Sequence, residues 1–366
     1  KNETGVTLIV LTITIIVLLI LAGVTISALN GDNEILQNAA RAKEETQLSE
    51  LEEQKVLTQF ESNMNLENKE YIDSKGKRAI IPAGFAVSSV TNEQNIDTGL
   101  VIIDKNGNEF VWVPIENVVA TSTSEANSNK SMALLDSTTG NYSGIMYDFV
   151  VEDDNTVTSN VRTSNYFEPR LSTWTDTDER LSKYGYTSKE EFLETMQKEY
   201  NNMVDSVNKY KGFYIGRYET SISENGEVQS KKGASPYSGG SISWYELYEN
   251  QKKFDANSVQ SSMIWGSQYD AMLNWIISNN NYDLFKITRD ETEKVECGFN
   301  ENDIINNIYD LTGNTFEWTL AQGAEQNARM HRGGFFGRTG DALRRSYTIS
   351  GYSGDMNGSR MTLYIK

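Results

Sequence analysis

Between Thr4 and Gly31 the sequence holds no charged residue, and residues 6–29 are almost continuously apolar. No other feature limits the chain so strongly, because a run of about 20 apolar residues matches the thickness of a bilayer. In lipid each backbone amide and carbonyl must be paired within its own segment. The run is therefore expected to be helical despite its β-branched residues. The sequence begins at Lys1 and still contains the run, so the segment is expected to belong to the working protein rather than to a cleaved signal.

After Asn30 and Gly31, Asp32 is placed to cap a second helical run, in which Ile35, Ala39, Ala42, Leu48, Leu51 and Phe60 recur at helical spacing. Arg41, Lys43, Glu44, Glu45 and Lys55 supply its wet face. Joined, the two runs predict a helix of about 50 residues, roughly 75 Å long. The stretch "GVTLIVLTITIIVLLILAG" with this amphipathic extension resembles the N-terminal segment of type IV pilins and prepilin-like proteins of Gram-positive type. That resemblance implies a helix that is first inserted in the cytoplasmic membrane and later packs against copies of itself in an extracellular cell-surface filament. It also implies the pilus assembly machinery and a prepilin peptidase as partners. The expected assembly surface is Val6, Leu8, Ile9, Val10, Leu11, Ile15, Ile16, Leu18, Leu19 and Leu21. One departure concerns registry. Many pilins carry a glutamate at the fifth mature position, whereas cleavage after Gly5 would place Val10 there.

Residues 61–77, rich in Ser, Asn and Glu, read as a linker between this helix (residues 1–60) and a globular domain over residues 78–366. Apolar runs flanking Asn106 and Gly107 predict a β-hairpin. Residues 116–165 are polar enough to form an excursion from the core. Ser188 to Glu191 is a capping signature for an amphipathic surface helix through Phe192, Leu193, Met196, Tyr200 and Met203. In order along the second half stand "GFYIGRYETS", "SISWYELYENQKKF", "SSMIWGSQYDAMLNWI", "NIYDLTGNTFEWT", "RGGFFG" and "GSRMTLYIK". Together these resemble the formylglycine-generating-enzyme-like, or sulfatase-modifying-factor, domain, a variety of the C-type lectin fold. The expected fold class is thus α+β: a long N-terminal hydrophobic helix followed by a C-type-lectin-like globular domain.

Chemistry narrows the function. A net charge of −18 repels phosphate backbones and disfavours nucleic acid as a partner. The enzymes resembled use a cysteine pair to bind copper, and their sulfoxide-synthase relatives a histidine-rich iron site. This chain has one cysteine, Cys297, and one histidine, His331, so catalysis is not expected and no cofactor is required. Cys297 reads as a small half-buried residue and His331 as a loop residue. Asn314 and Glu317 are candidate calcium ligands, since hard cations favour oxygen and related domains often bind calcium; the plainer reading of Glu317 is an acceptor bracing loops. Arginines 329, 332, 338, 344 and 345 are expected to tie loops together through carboxylates. The alternative is a ligand surface formed by Arg338, Arg344, Arg345, Tyr347, Tyr352, Asp355 and Asn357. Asn141 and Asn357 lie in sequons. The functional expectation is a structural subunit of a type IV pilus-like filament displaying a lectin-like domain; the alternative is a tethered or filament-tip adhesin.

Overall fold

The chain divides into two units, Lys1–Asn63 and Met64–Lys366. The computed structural model describes residue 43 and residues 66–153, 156–162, 168–169, 174–238, 242–254, 256–279, 292–323, 328–337, 342–349 and 354–366. The assembly residues Val6, Leu8, Ile9, Val10, Leu11, Ile15, Ile16, Leu18, Leu19 and Leu21, together with Arg338 and Tyr352, lie outside the described residues.

Two sheets organise the second unit. Their strands are β1 (Phe85–Val87), β2 (Val101–Asp104), β3 (Glu109–Pro114), β4 (Gly212–Gly216), β5 (Val259–Met263), β6 (Phe316–Gln322), β7 (Ala328–Arg332), β8 (Arg345–Ile349), β9 (Asn357–Ser359) and β10 (Met361–Ile365). The larger sheet is antiparallel in the order β5-β10-β4-β3-β2-β1. The smaller runs β8-β7-β6-β9, with β6 and β9 parallel and a register shift between Trp318 and Gln322. Among the described residues of this unit they are accompanied by the α-helices α1 (Thr123–Asn129), α2 (Asp178–Ser182), α3 (Lys189–Tyr210), α4 (Trp244–Gln251) and α5 (Gly266–Ser278).

Strand alternation decides what each face of the large sheet buries. Val111, Val113, Phe213 and Ile215 share a core with Phe192, Met196, Tyr200 and Met203 of α3, and with Trp244 and Met272 of α4 and α5. Phe110, Trp112, Tyr214, Met361, Leu363 and Ile365 point the other way, onto Ala79, Ile81, Phe85 and Phe254. Gly212 has no side chain because Trp112 fills the space; a Cβ there would sit 2.3 Å from the indole. The hairpin expected at Asn106 and Gly107 joins β2 to β3, with Gly107 at φ +77°. Asp104 Oδ1 accepts from the amides of Asn106 and Asn108, both at 2.8 Å, and fixes the turn. Helix α3 begins where its capping signature lies: the Glu191 amide donates to Ser188 Oγ at 3.2 Å.

The fold class requires a correction. Among the described residues the architecture is mixed and sheet-rich, and no helix is long and apolar enough to cross a membrane. The longest, α3, has 22 residues, and Lys and Glu alternate with its buried Phe192, Met196, Tyr200 and Met203, so it is apolar along one stripe only. A long N-terminal hydrophobic helix followed by a lectin-like domain is therefore not the fold class observed. The same finding withdraws the expected localisation, insertion in the cytoplasmic membrane ahead of an extracellular cell-surface filament. Part of the expected linker is strand, since Lys69–Ile72 pairs with Arg78–Ile81. The polar excursion is ordered where described: α1 and the ribbon of Tyr147–Val151 with Val157–Val161 enclose a small core of Ala120, Ala126, Ile145 and Tyr147.

Candidate functional site

The smaller sheet and the turns around it collect most of the described residues that sequence singled out. Strand β6 follows a turn in which Asn314 takes φ +65°, and Gly333 beyond β7 takes φ +71° because a Cβ would stand 2.8 Å from the Leu311 carbonyl oxygen. This geometry carries Glu317 inward against Arg360. Arg360 Nε donates to Glu317 Oε1 at 2.8 Å, and its Nη atoms reach the carbonyls of Gly216 and Tyr309. A second buried acid, Glu219, accepts from Asn314 Nδ2 at 2.6 Å, from the Thr315 amide at 2.9 Å and from Thr315 Oγ1 at 2.6 Å. Burial, then the neighbouring charges of Asp310 and Glu317, push Glu219 well above the usual carboxylate range. Burial also raises Glu317, against the pull of Arg360.

The candidate calcium ligands are therefore engaged elsewhere. Asn314 spends its Nδ2 on Glu219 and its Oδ1 on the Val295 amide at 3.0 Å, while Glu317 is matched to a guanidinium. Among the described residues no group of three or more His, Cys, Asp or Glu is placed to hold a metal ion.

Asp270, at the buried start of α5, stands between two arginines that face each other across β7 and β8. Arg332 Nη2 lies 2.7 Å from Asp270 Oδ1 and Arg345 Nη2 2.7 Å from Oδ2. Arg345 also donates to the Tyr147 carbonyl at 2.9 Å. Farther along, Arg329 lies 3.1 Å from Asp176 and stacks 3.5 Å from the centre of the Trp174 ring. The expectation that these arginines tie segments together thus describes Arg329, Arg332 and Arg345. Their partners Asp176 and Asp270 were not singled out, and their separation along the chain leaves no spacing signal.

The expected ligand surface does not form one patch among the described residues. Tyr347 is 48% exposed and Asp355 is exposed, whereas Arg345 is consumed by Asp270. Arg344 is half-buried, with its guanidinium 5.5 Å from the Phe316 ring centre. Asn357 is only 1% exposed, in parallel register with Phe316, and so cannot serve as a surface sequon.

Cys297 is fully buried, and burial raises its thiol well above the ordinary value, so it stays protonated. Its Sγ donates to the Glu219 carbonyl at 3.6 Å. His331 is in β7 rather than a loop, packed 4.2 Å from the Phe316 ring centre with neither ring nitrogen bonded. Burial, and then the charge of Arg344, lower its pKa to about 4, which leaves the imidazole neutral near pH 7. Among the described residues, Cys297 and His331 lie in separate buried settings and are not paired with each other. The arrangement braces strands, which is work that buried ion pairs do at the cost of desolvation.

No protein-family model matches the chain, and no curated protein matches it. Among solved structures, the crystal structure of CarF is 12% identical, the match covering 43% of this chain and 87% of that one, at a TM-score of 0.29. The structure of PvdO from Pseudomonas aeruginosa is 14% identical over 43% of this chain and 82% of that one, at 0.28. Scores this low carry no argument about fold or activity.

Proposed function

We propose that the chain is a non-catalytic structural subunit that assembles with copies of itself through the apolar residues 6–29 and displays the Met64–Lys366 unit, as in pilin-like proteins. The observation that carries the non-catalytic part is Cys297: the sole thiol is sealed from solvent and kept protonated, so the chemistry of the enzymes resembled has no starting group. The ionic network around Arg360, Asp270 and Asp176 supports the display role, because it fixes strands from distant parts of the chain into one rigid frame. Assembly rests on the sequence pattern of residues 6–29, whose apolar surface is kept from water by neighbours at roughly 25 cal/mol per Å².

Sedimentation and electron microscopy of the full chain test this reading against the double variant Ile15→Glu with Leu19→Glu. Regular polymers are expected from the parent chain and single chains from the variant. A parent chain that stays solitary at every concentration would end the proposal.

A further inference from the structure

An open cleft of about 630 Å³ lies where the ribbon of Lys69–Ile72 with Arg78–Ile81 meets the short turn at Thr91–Glu93 and the hairpin of Ile304–Ile305 with Ile308–Tyr309. Its volume is within the range of small-molecule sites, about 300–1,000 Å³. Among the described residues no charged side chain lines it, although 23% of the chain is charged. The charged residues interleaved with the lining turn elsewhere: Asp73 onto the amides of Lys75, Lys77 and Ile96, Glu93 onto Arg217, and Asp97 onto Lys75 and Lys77.

The walls are held in place. Asn306 and Asn307, at φ +46° and +62°, form the two-residue turn of the hairpin, and Asn307 Nδ2 donates to the Gly99 carbonyl at 2.6 Å and to the Asn92 carbonyl at 3.3 Å. Gly99 has no room for a Cβ against the Asn306 carbonyl, so the two turns touch through backbone. Tyr71 Oη donates to the Gln94 carbonyl at 2.8 Å and ties the ribbon to the same wall. These bonds also decide which end of each amide is left for a ligand. Gln94 Nε2 donates to the Ser88 carbonyl at 2.9 Å, and only an amide nitrogen can bond a carbonyl there, so Gln94 Oε1 and, by the same reasoning, Asn307 Oδ1 are the free ends. Asn95 is held the other way: its Oδ1 accepts from the Asp97 amide at 2.9 Å, which leaves Nδ2 free. All three residues are half-buried, and these free atoms remain open to solvent at the cleft. Thr91 and Asn92 at the rim are exposed, and their side chains form no hydrogen bond among the described residues.

We propose that this cleft binds a neutral saccharide, whose hydroxyls donate to Gln94 Oε1 and Asn307 Oδ1 and accept from Asn95 Nδ2, with further bonds to Thr91 and Asn92. A hydroxyl both donates and accepts, which suits a wall of two fixed acceptors and a fixed donor; an anion would meet the two carbonyl oxygens and a cation the amide hydrogens. Tyr71 and Ile304 are the only large apolar side chains of the lining, too few for a ligand held by apolar burial. A peptide docks on a strand edge or in an apolar groove, whereas side-chain amides and hydroxyls make this wall. Groups already held in position lose little freedom on binding. The site is independent of self-assembly through residues 6–29, so either reading can fail alone.

The test is calorimetric titration of the full chain with maltotriose, lactose, mannotriose and chitotriose, and with acetyl-triglycine amide as a peptide control. Saturable binding of at least one sugar, unchanged by added salt, is the expected result. The double variant Thr91→Ala with Asn92→Ala should keep the parent melting temperature, since neither side chain is bonded within the chain, while affinity falls about tenfold, the worth of one or two hydrogen bonds. Tighter binding of the blocked peptide than of any sugar, affinity that falls with salt, an unaltered affinity in the double variant, or no saturable binding of any sugar would overturn the proposal.

Discussion

In the large sheet Phe110, Trp112, Leu363 and Ile365 meet other apolar side chains; in the small sheet Arg329, Arg332, Glu317 and Arg360 are buried just as deeply and meet opposite charges. The first arrangement gains stability from any well-filled volume and tolerates exchanges of similar shape. The second returns little net stability, since desolvation offsets most of the attraction, yet it penalises the loss of either partner heavily. An apolar core specifies how much is buried, whereas a paired core specifies which strands meet.

Removing the α5 acid that pairs with the small sheet should have the largest effect. Asp270→Ala leaves Arg332 and Arg345 opposed, with only the largely exposed Asp148, 3.5 Å from Arg345, as a counter-ion, and a loss of about 3–5 kcal/mol is expected by urea unfolding. A loss below about 1 kcal/mol would erase the distinction between the sheets.

The next effect depends on pH. The folded pKa of His331, about 4, lies below its unfolded value of 6.5, so the folded state binds fewer protons over that interval. Its contribution is complete above the unfolded value and is lost as pH falls through about 4, a swing on the order of 3 kcal/mol. Glu168 acts in the opposite sense. Burial raises it to about 7 although it accepts from the Gly266 amide, so its contribution is complete below about 4.5 and is lost as pH rises through about 7. His331→Phe should therefore flatten the acid limb of the stability profile relative to the parent, and Glu168→Gln the limb nearer neutrality. The single imidazole resonance should titrate near pH 4; a midpoint close to 6.5 would remove His331 from the buried set.

The smallest effect should come from the large sheet. Leu363→Met conserves volume and should cost less than about 1.5 kcal/mol, with an unchanged denaturant slope. A cost matching that of Asp270→Ala would mean that the apolar faces are as exacting as the ionic one.

This contrast also accounts for what sequence reading reached. The turn at Asn106 and Gly107 and the start of α3 at Ser188 were legible because their signals are local: a φ preference in one and a side chain capping an amide three residues on in the other. The arginines could be assigned a bracing role by type, but not their partners, because an ion pair between Asp270 and Arg345 has no periodicity. Asn357 was misjudged for a related reason: a sequon carries no information on burial, and the residue lies in a parallel strand against Phe316. The pairing of Glu317 with Arg360 was likewise out of reach, because 43 residues separate the two along the chain.

Strand β10 lies between β5 and β4, so residues 361–365 occupy the interior of the main sheet although both of their partners lie about 100 residues or more earlier in the chain. Until they arrive, two neighbouring strands each present a free edge, ready to pair with whatever extended segment is nearest. Deleting residues 361–365 should therefore unravel the whole sheet rather than fray a margin.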